Sequence, residues 1–138
     1  MMISTKGTYA LRVMLDLAQH ENEGYISLKS IAERQRVSMK YLESIVSMLN
    51  KGGMLTSLRG KDGGYKLLRK AEEYCIGEIL RLTEGGLTPV SCHGFSDGET
   101  GCQNVANCLT FPMWQKLDNL INDYLDKVSL RDLLEGRV

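Results

Sequence analysis

Residues 27 to 53 read SLKSIAERQRVSMKYLESIVSMLNKGG, and two serines in this stretch limit the fold more than any other feature. A serine just ahead of an apolar-periodic run can accept from backbone N–H groups that the first helical turn leaves unpaired. Ser27 stands so before LKSIAERQ, with Leu28, Ile31 and Ala32 facing inward. Ser38 stands so before MKYLESIVSMLNK, where Leu42, Ile45, Val46 and Leu49 form a buried stripe. RQRVS leaves room only for a tight turn between the two helices, and Gly52 and Gly53 stop the second.

The flanks extend the pattern. TKGTYALRVMLDLAQHE carries Ala10, Val13, Met14, Leu17 and Ala18 at helical spacing, with Ser4 or Thr5 as cap, before GYIS breaks it. After the glycines, MLTSLR and YKLLRK enclose GKDGG, which predicts a hairpin with Arg59 and Lys61 at its loop. Three helices followed by a hairpin with a basic tip are the order of a winged helix-turn-helix. The expected fold is mainly α with a small β-hairpin wing and a long C-terminal dimerisation helix.

YCIGEILRLTEG predicts a further helix, with Cys75 among Ile76, Ile79 and Leu80 as a core thiol. FPMWQKLDNLINDYLDKV predicts a long one, and Pro112 suits its first turn. Trp114, Leu117, Ile121, Tyr124, Leu125 and Val128 recur at three- and four-residue steps on one face. Little domain is left for that face to cover, so the stripe predicts packing against a second copy. Ser129 caps a short last helix, LRDLLEG. The expected division is a DNA-binding domain over 1–85, a cysteine-bearing loop over 86–110, and the dimerisation helix with its short successor over 111–138.

Composition matters here mainly through charge. With 43% hydrophobic and 25% charged residues the chain is globular rather than disordered. No run of about 18 apolar residues occurs, and Lys6, Arg12 and Asp16 interrupt the N-terminal stretch, so the expectation is a cytoplasmic protein without a membrane span. The net charge of zero hides a gradient. Residues 1–70 hold twelve bases and six acids, giving +6, and the remainder balances this with −6. A basic half suggests a polyanionic partner.

Double-stranded DNA admits a helix into its major groove, usually N-terminal end first. Ser38 and Lys40 are candidate phosphate contacts, and Tyr41 can reach phosphate or pack under the helix. Glu43 is repelled by phosphate but can accept from a cytosine amino group; the bland alternative is an exposed glutamate near Lys40. Arg59 suits a narrow, electronegative minor groove, with Lys61 beside it. A dimer would require a pseudo-palindromic operator. Enzymatic chemistry is not expected, since His20 and His93 are the only histidines and no nucleophile–base pairing is visible.

Residues 91 to 114, SCHGFSDGETGCQNVANCLTFPMW, place Cys92, Cys102 and Cys108 on a glycine-bearing loop. Such a loop lets three thiolates converge on one small object. An iron–sulfur cluster takes thiolates and tolerates a different fourth ligand. Zinc with His93, and metal-free thiol switching, stay open on the spacing alone.

The blocks TKGTYALRVMLDLA, ISLKSIAERQRVSMKYLESIVSMLNKGGML, SLRGKDGGYKLLR, IGEILRLTEG and CLTFPMWQKL resemble the winged-helix regulators that include IscR, NsrR, RirA and CymR, nearest the IscR-like branch. The likeness covers nearly the whole chain. It implies a homodimeric DNA-binding regulator, expected to be a repressor, that senses iron–sulfur status, iron or redox stress. It maps the reading head onto Ser38 to Glu43 and Arg59. It maps an iron–sulfur cluster onto Cys92, Cys102 and Cys108, with a 2Fe–2S core favoured and a 4Fe–4S core admitted. Two departures leave the fourth ligand open. The first cysteine gap is nine residues where the IscR pattern has five, and Phe111 stands where that pattern has histidine. Thr8 stands where NsrR-type members supply a carboxylate. His93, Asp97 and Glu99 are the candidates in the loop. The competing readings are a metal-free regulator controlled by thiol oxidation or a partner protein, and, more distantly, a small electron-transfer or metal-carrier protein.

Overall fold

A computed structural model describes residues 3–90 and 105–138. The order is α1 (Thr5–Gln19), α2 (Leu28–Gln35), α3 (Met39–Lys51), β1 (Leu55–Leu58), β2 (Gly64–Leu67), α4 (Ile76–Glu84), α5 (Phe111–Lys127) and α6 (Leu130–Glu135). Four of the helices start on a serine whose hydroxyl accepts a first-turn N–H: Ser4 from Gly7, Ser27 from Ser30, Ser38 from Tyr41 and Ser129 from Asp132. Between Ser4 and Thr5 the cap is therefore Ser4. Helix α2 ends on Arg36, held at φ 55° in the left-handed region, and this single residue turns the chain toward α3.

The apolar stripes expected on α1 and α3 meet in one core. Val13, Met14 and Leu17 lie with Leu42, Ile45 and Leu49, joined by Ile31, Ile79 and Leu130. Leu28 packs at the edge of this cluster, half-buried. The hairpin pairs Leu55 with Leu67 and Leu58 with Gly64. GYIS does more than break a helix. Ile26 and Tyr65 exchange both backbone hydrogen bonds at 2.8 Å, which ties the wing to the start of α2. Gly64 is required there, because a side-chain carbon would overlap the Ile26 carbonyl.

Cys75 is not a core thiol. It caps α4, with Sγ accepting from Glu78 N at 3.4 Å and lying 3.9 Å from Asp126 Oδ1, and it is half-buried. Spacing against Ile76, Ile79 and Leu80 cannot separate the residue before a helix from one inside it. The backbone around Cys75 is tied to the chain's end: Ile76 N donates to Val128 O at 2.8 Å, and Leu130 N to Tyr74 O at 3.1 Å.

The stripe on the long helix divides. Ile121 and Leu125 pack against the core beside α4. Leu117 and Tyr124 face outward, in step with Met113 and Leu120, which the sequence reading left out. Trp114 is half-buried. Val128 lies beyond the last turn of α5 as its cap and is buried in the chain's own core, so it departs from the face assigned to a second copy.

Candidate DNA interface and cysteine segment

The start of α3 carries its polar side chains outward while Leu42 and Ile45 anchor the opposite face. Ser38, Lys40 and Glu43 are exposed. Ser38 Oγ accepts from Tyr41 N at 3.2 Å, which leaves its hydroxyl proton available to an acceptor such as phosphate. Glu43 makes no ion pair with Lys40 or any other cation among the described residues. The Tyr41 ring meets Tyr9 of α1 edge-on, at 5.8 Å and 88°. It keeps about a third of its surface exposed at 36%.

At the wing tip Gly60, at φ 113°, adopts a backbone that favours glycine, and its carbonyl accepts from Gly63 N at 3.1 Å. This turn presents Arg59 and Lys61 to solvent. A cleft of about 350 Å³ runs between the wing and the helices, with Ser27, Asn50, Ser57 and Arg59 among its lining.

The cations fall into two populations. Arg34 pairs with Asp16, Arg69 with Glu78, Arg81 with Asp126, Arg131 with Glu21 and Arg137 with Asp132. Lys29, Arg36, Lys40, Arg59 and Lys61 have no carboxylate within ion-pair distance among the described residues. A paired cation contributes little to the outward field; an unpaired one contributes in full. Twelve Lys and Arg are unpaired among the described residues, and seven of them, Lys29, Arg36, Lys40, Lys51, Arg59, Lys61 and Lys66, stand on α2, the helix–helix turn, α3 and the wing hairpin.

Cys92, Cys102, His93, Asp97 and Glu99 lie outside the described residues. Cys108 lies between a short 3-10 turn, Val105–Asn107, and the first residue of α5. Its Sγ is 3.3 Å from Thr110 Oγ1. That hydroxyl, with the backbone N–H groups of Thr110 and Phe111, draws the thiol below its ordinary range toward thiolate. Thiolate is the form that binds metal and attacks oxidants. Among the described residues no three His, Cys, Asp or Glu side chains converge as a metal site. Thr8, at the position where a carboxylate would serve, donates its hydroxyl to Ser4 O at 3.2 Å.

Two structural residues escaped the sequence reading. Asp16 is 2% exposed on the inward face of α1, and Tyr74 is fully buried beneath the wing. An aspartate among Val13, Met14 and Leu17 was the one signal, since a buried carboxylate requires a partner.

A family model described as Rrf2, iron-dependent transcriptional regulator, matches residues 3–136. The chain belongs to the Rrf2 family. It is 39% identical over 134 residues to the HTH-type transcriptional regulator IscR of Aliivibrio salmonicida, covering 97% of this chain and 77% of that one. The solved structure of T. potens IscR superposes with a TM-score of 0.77 at 38% identity, covering 100% of this chain and 89% of its own. CymR, the global cysteine regulator of B. subtilis, gives 0.76 at 35% identity over 99% and 98%. This Rrf2 chain is thus a DNA-binding transcriptional regulator with a winged helix-turn-helix and a C-terminal helix, not an enzyme. Among its described residues no helix is long and apolar enough to cross a membrane.

Proposed function

We propose that this Rrf2 protein binds a pseudo-palindromic operator as a cytoplasmic homodimer and that the cysteine segment controls the binding. Ser38 and Lys40 take phosphates, Tyr41 lies against the DNA backbone, and Glu43 accepts from a cytosine amino group in the major groove. Arg59 and Lys61 enter the minor groove. The observation that carries this reading is the division of the cations, because seven of the twelve uncompensated ones stand on the helix-turn-helix and wing hairpin. The exposed Met113, Leu117, Leu120 and Tyr124 of α5, with the half-buried Trp114, supply the face for the second copy.

Arg59→Ala should weaken binding to operator and random duplexes alike and lower the salt slope. Glu43→Ala should instead relax sequence preference at one position. Equal losses on both duplexes for both variants would overturn the assignment of Glu43.

Cys92, Cys102 and Cys108 would hold an iron–sulfur cluster, 2Fe–2S by preference, completed by His93, Asp97 or Glu99. The thiolate-favouring surroundings of Cys108 suit that role. Bound there, the cluster would supply an iron- and redox-sensitive group, and the regulator would act as a repressor. The likeness to CymR supports a second reading, in which the same thiols respond to oxidation or to a partner protein without metal. Protein purified without oxygen decides between them. Stoichiometric iron and sulfide support the cluster. Colourless protein with a reversible disulfide or sulfenic acid supports thiol control.

A further inference from the structure

Arg12 sits in the basic half of the chain, on the helix ahead of the helix-turn-helix, where a phosphate would be an ordinary partner. Instead, its Nε donates to Gln35 Oε1 at 2.9 Å and its Nη2 donates to the Gln35 carbonyl at 3.2 Å. That carbonyl belongs to the last turn of α2, whose acceptors have no partner within the helix. The Gln35 amide donates in turn to Asp16 Oδ2 at 2.9 Å. Asp16 also receives Arg34, through Nε at 2.9 and 3.2 Å and Nη2 at 2.7 Å. Arg12 and Asp16 are one turn apart on α1. Together they grip the end of α2 immediately before left-handed Arg36, the residue that aims α3.

The guanidinium of Arg12 has a second contact. It lies over the ring of Tyr9, 4.6 Å from the centroid, and Tyr9 meets Tyr41 edge-on. One side chain therefore touches both supports of the reading end: the exit of α2 through Gln35, and the Tyr41 ring through Tyr9. A planar fork that can donate twice and also stack is a property of arginine that lysine lacks.

We propose that Arg12 is a positioning residue for operator readout, fixing the pose of Tyr41 and the start of α3, and is not itself a DNA ligand. The inference rests on the reading of Tyr41 as DNA-facing. It separates Arg12 from Arg59: both are arginines of the basic half, yet one aligns the reading head and the other touches the nucleic acid.

The test uses a duplex selected by the wild-type protein from a randomised library, a scrambled duplex of the same composition, and titrations over a range of salt. Arg12→Gln and Arg12→Lys should each weaken binding to the selected duplex on the order of tenfold, as expected for a coupled contact network, while binding to the scrambled duplex and the salt slope stay at wild-type values. Tyr9→Leu should do the same, and Tyr9→Leu combined with Arg12→Gln should lose no more than the larger single change. If Arg12→Lys keeps full affinity while Arg12→Gln lowers the slope by about 0.9 per protomer, Arg12 is a phosphate ligand and the inference is wrong. Parallel losses on both duplexes that track the thermal midpoint would reduce it to a structural residue and equally overturn the inference. Tyr41→Ala separates the two levels. If it leaves selected-duplex affinity intact, the DNA-facing reading of Tyr41 fails and the inference with it. If it weakens binding while the Arg12 variants do not, only the inference fails.

Discussion

Tyr74→Phe removes a single oxygen from a fully buried ring, and the structure specifies what that oxygen does. The hydroxyl donates to Met54 O at 2.6 Å and accepts from Leu68 N at 3.0 Å and Arg69 N at 2.9 Å. Its one proton and two lone pairs are thus all engaged. Met54 precedes β1, and Leu68 and Arg69 follow β2, so the tyrosine closes the open end of the wing. Phenylalanine preserves the ring beneath the Arg69 guanidinium, which lies 4.2 Å from the centroid and pairs with Glu78 at 2.8 Å. The substitution therefore isolates the hydroxyl. Part of the loss is recoverable, because Leu68 N and Met54 O are already 3.4 Å apart and can close on each other. Arg69 N–H has no such substitute. With one bond recovered and a donor left unpaired, the cost is about 2–3 kcal/mol.

Urea unfolding at a fixed protomer concentration should show this as a lower midpoint with an unchanged slope, since the surface exposed on unfolding is the same. Thermal unfolding should fall by roughly 6–10 °C for a chain of this size. Hydrogen exchange should localise the change, with the amides of β1 and β2 losing protection before those of α1 and α3. A loss below about 1 kcal/mol would mean that these backbone groups find other partners, and the account of Tyr74 as the wing's anchor would be refuted.

Other changes test neighbouring parts of the fold. Arg34→Ala leaves the Asp16 carboxylate buried with only Gln35 as a strong donor, and should cost about 3 kcal/mol in urea unfolding; Arg34→Lys should restore only part of it, lacking the two-pronged contact. Asp132 accepts from Ser129 N at 3.0 Å while Ser129 Oγ accepts from Asp132 N, and those bonds with Ser129, aided by Arg137, hold its carboxyl below the usual range. Because the folded value lies below the unfolded one of about 3.9, this contribution is complete above that pH and is lost as pH falls through the folded value. The thermal-midpoint difference between wild type and Asp132→Asn should therefore shrink in acid and be flat at neutral pH. Cys108, held toward thiolate first by the Thr110 hydroxyl, should react with iodoacetamide with a pH midpoint below that of a free cysteine, and Thr110→Val should raise that midpoint, as mass spectrometry would show.

The helices were legible because their determinants are local. Ser4, Ser27, Ser38 and Ser129 each sit within three residues of the N–H they satisfy, and the stripes on α1 and α3 repeat within a few turns. Periodicity reports that a face is apolar, not what covers it. On α5 this failed in both directions. Ile121 and Leu125 are taken by the chain's own core and Val128 lies past the helix, while Met113 and Leu120 join the exposed row although they interrupt the spacing first chosen. Cys75 was misplaced for a related reason. Its apolar neighbours in sequence are real, but the residue lies one position outside the helix, where the backbone is extended and the sulfur serves as a cap.

The residues that fix the geometry of the site were illegible because their partners are distant in sequence. Asp16 and Arg34 stand 18 positions apart, and Tyr74 and Met54 stand 20 apart. No window on the sequence contains both members of either pair. Asp16 alone left a local trace: a polar group at a position where the pattern on α1 demands an apolar one. A buried carboxylate or hydroxyl is costly unless its bonds are filled, so such a residue implies a partner even when it does not name it. The converse holds for the cations. Arg34 and Arg69 count equally with Lys40 and Arg59 in a charge of +6, yet only folding shows that the first two are already neutralised by Asp16 and Glu78. Pairing withdraws Asp16 and Glu21 as well as Arg34 and Arg69, so residues 1–70 keep an excess of six, carried by ten unpaired cations of which seven stand between α2 and β2, where the helix-turn-helix and wing can use them.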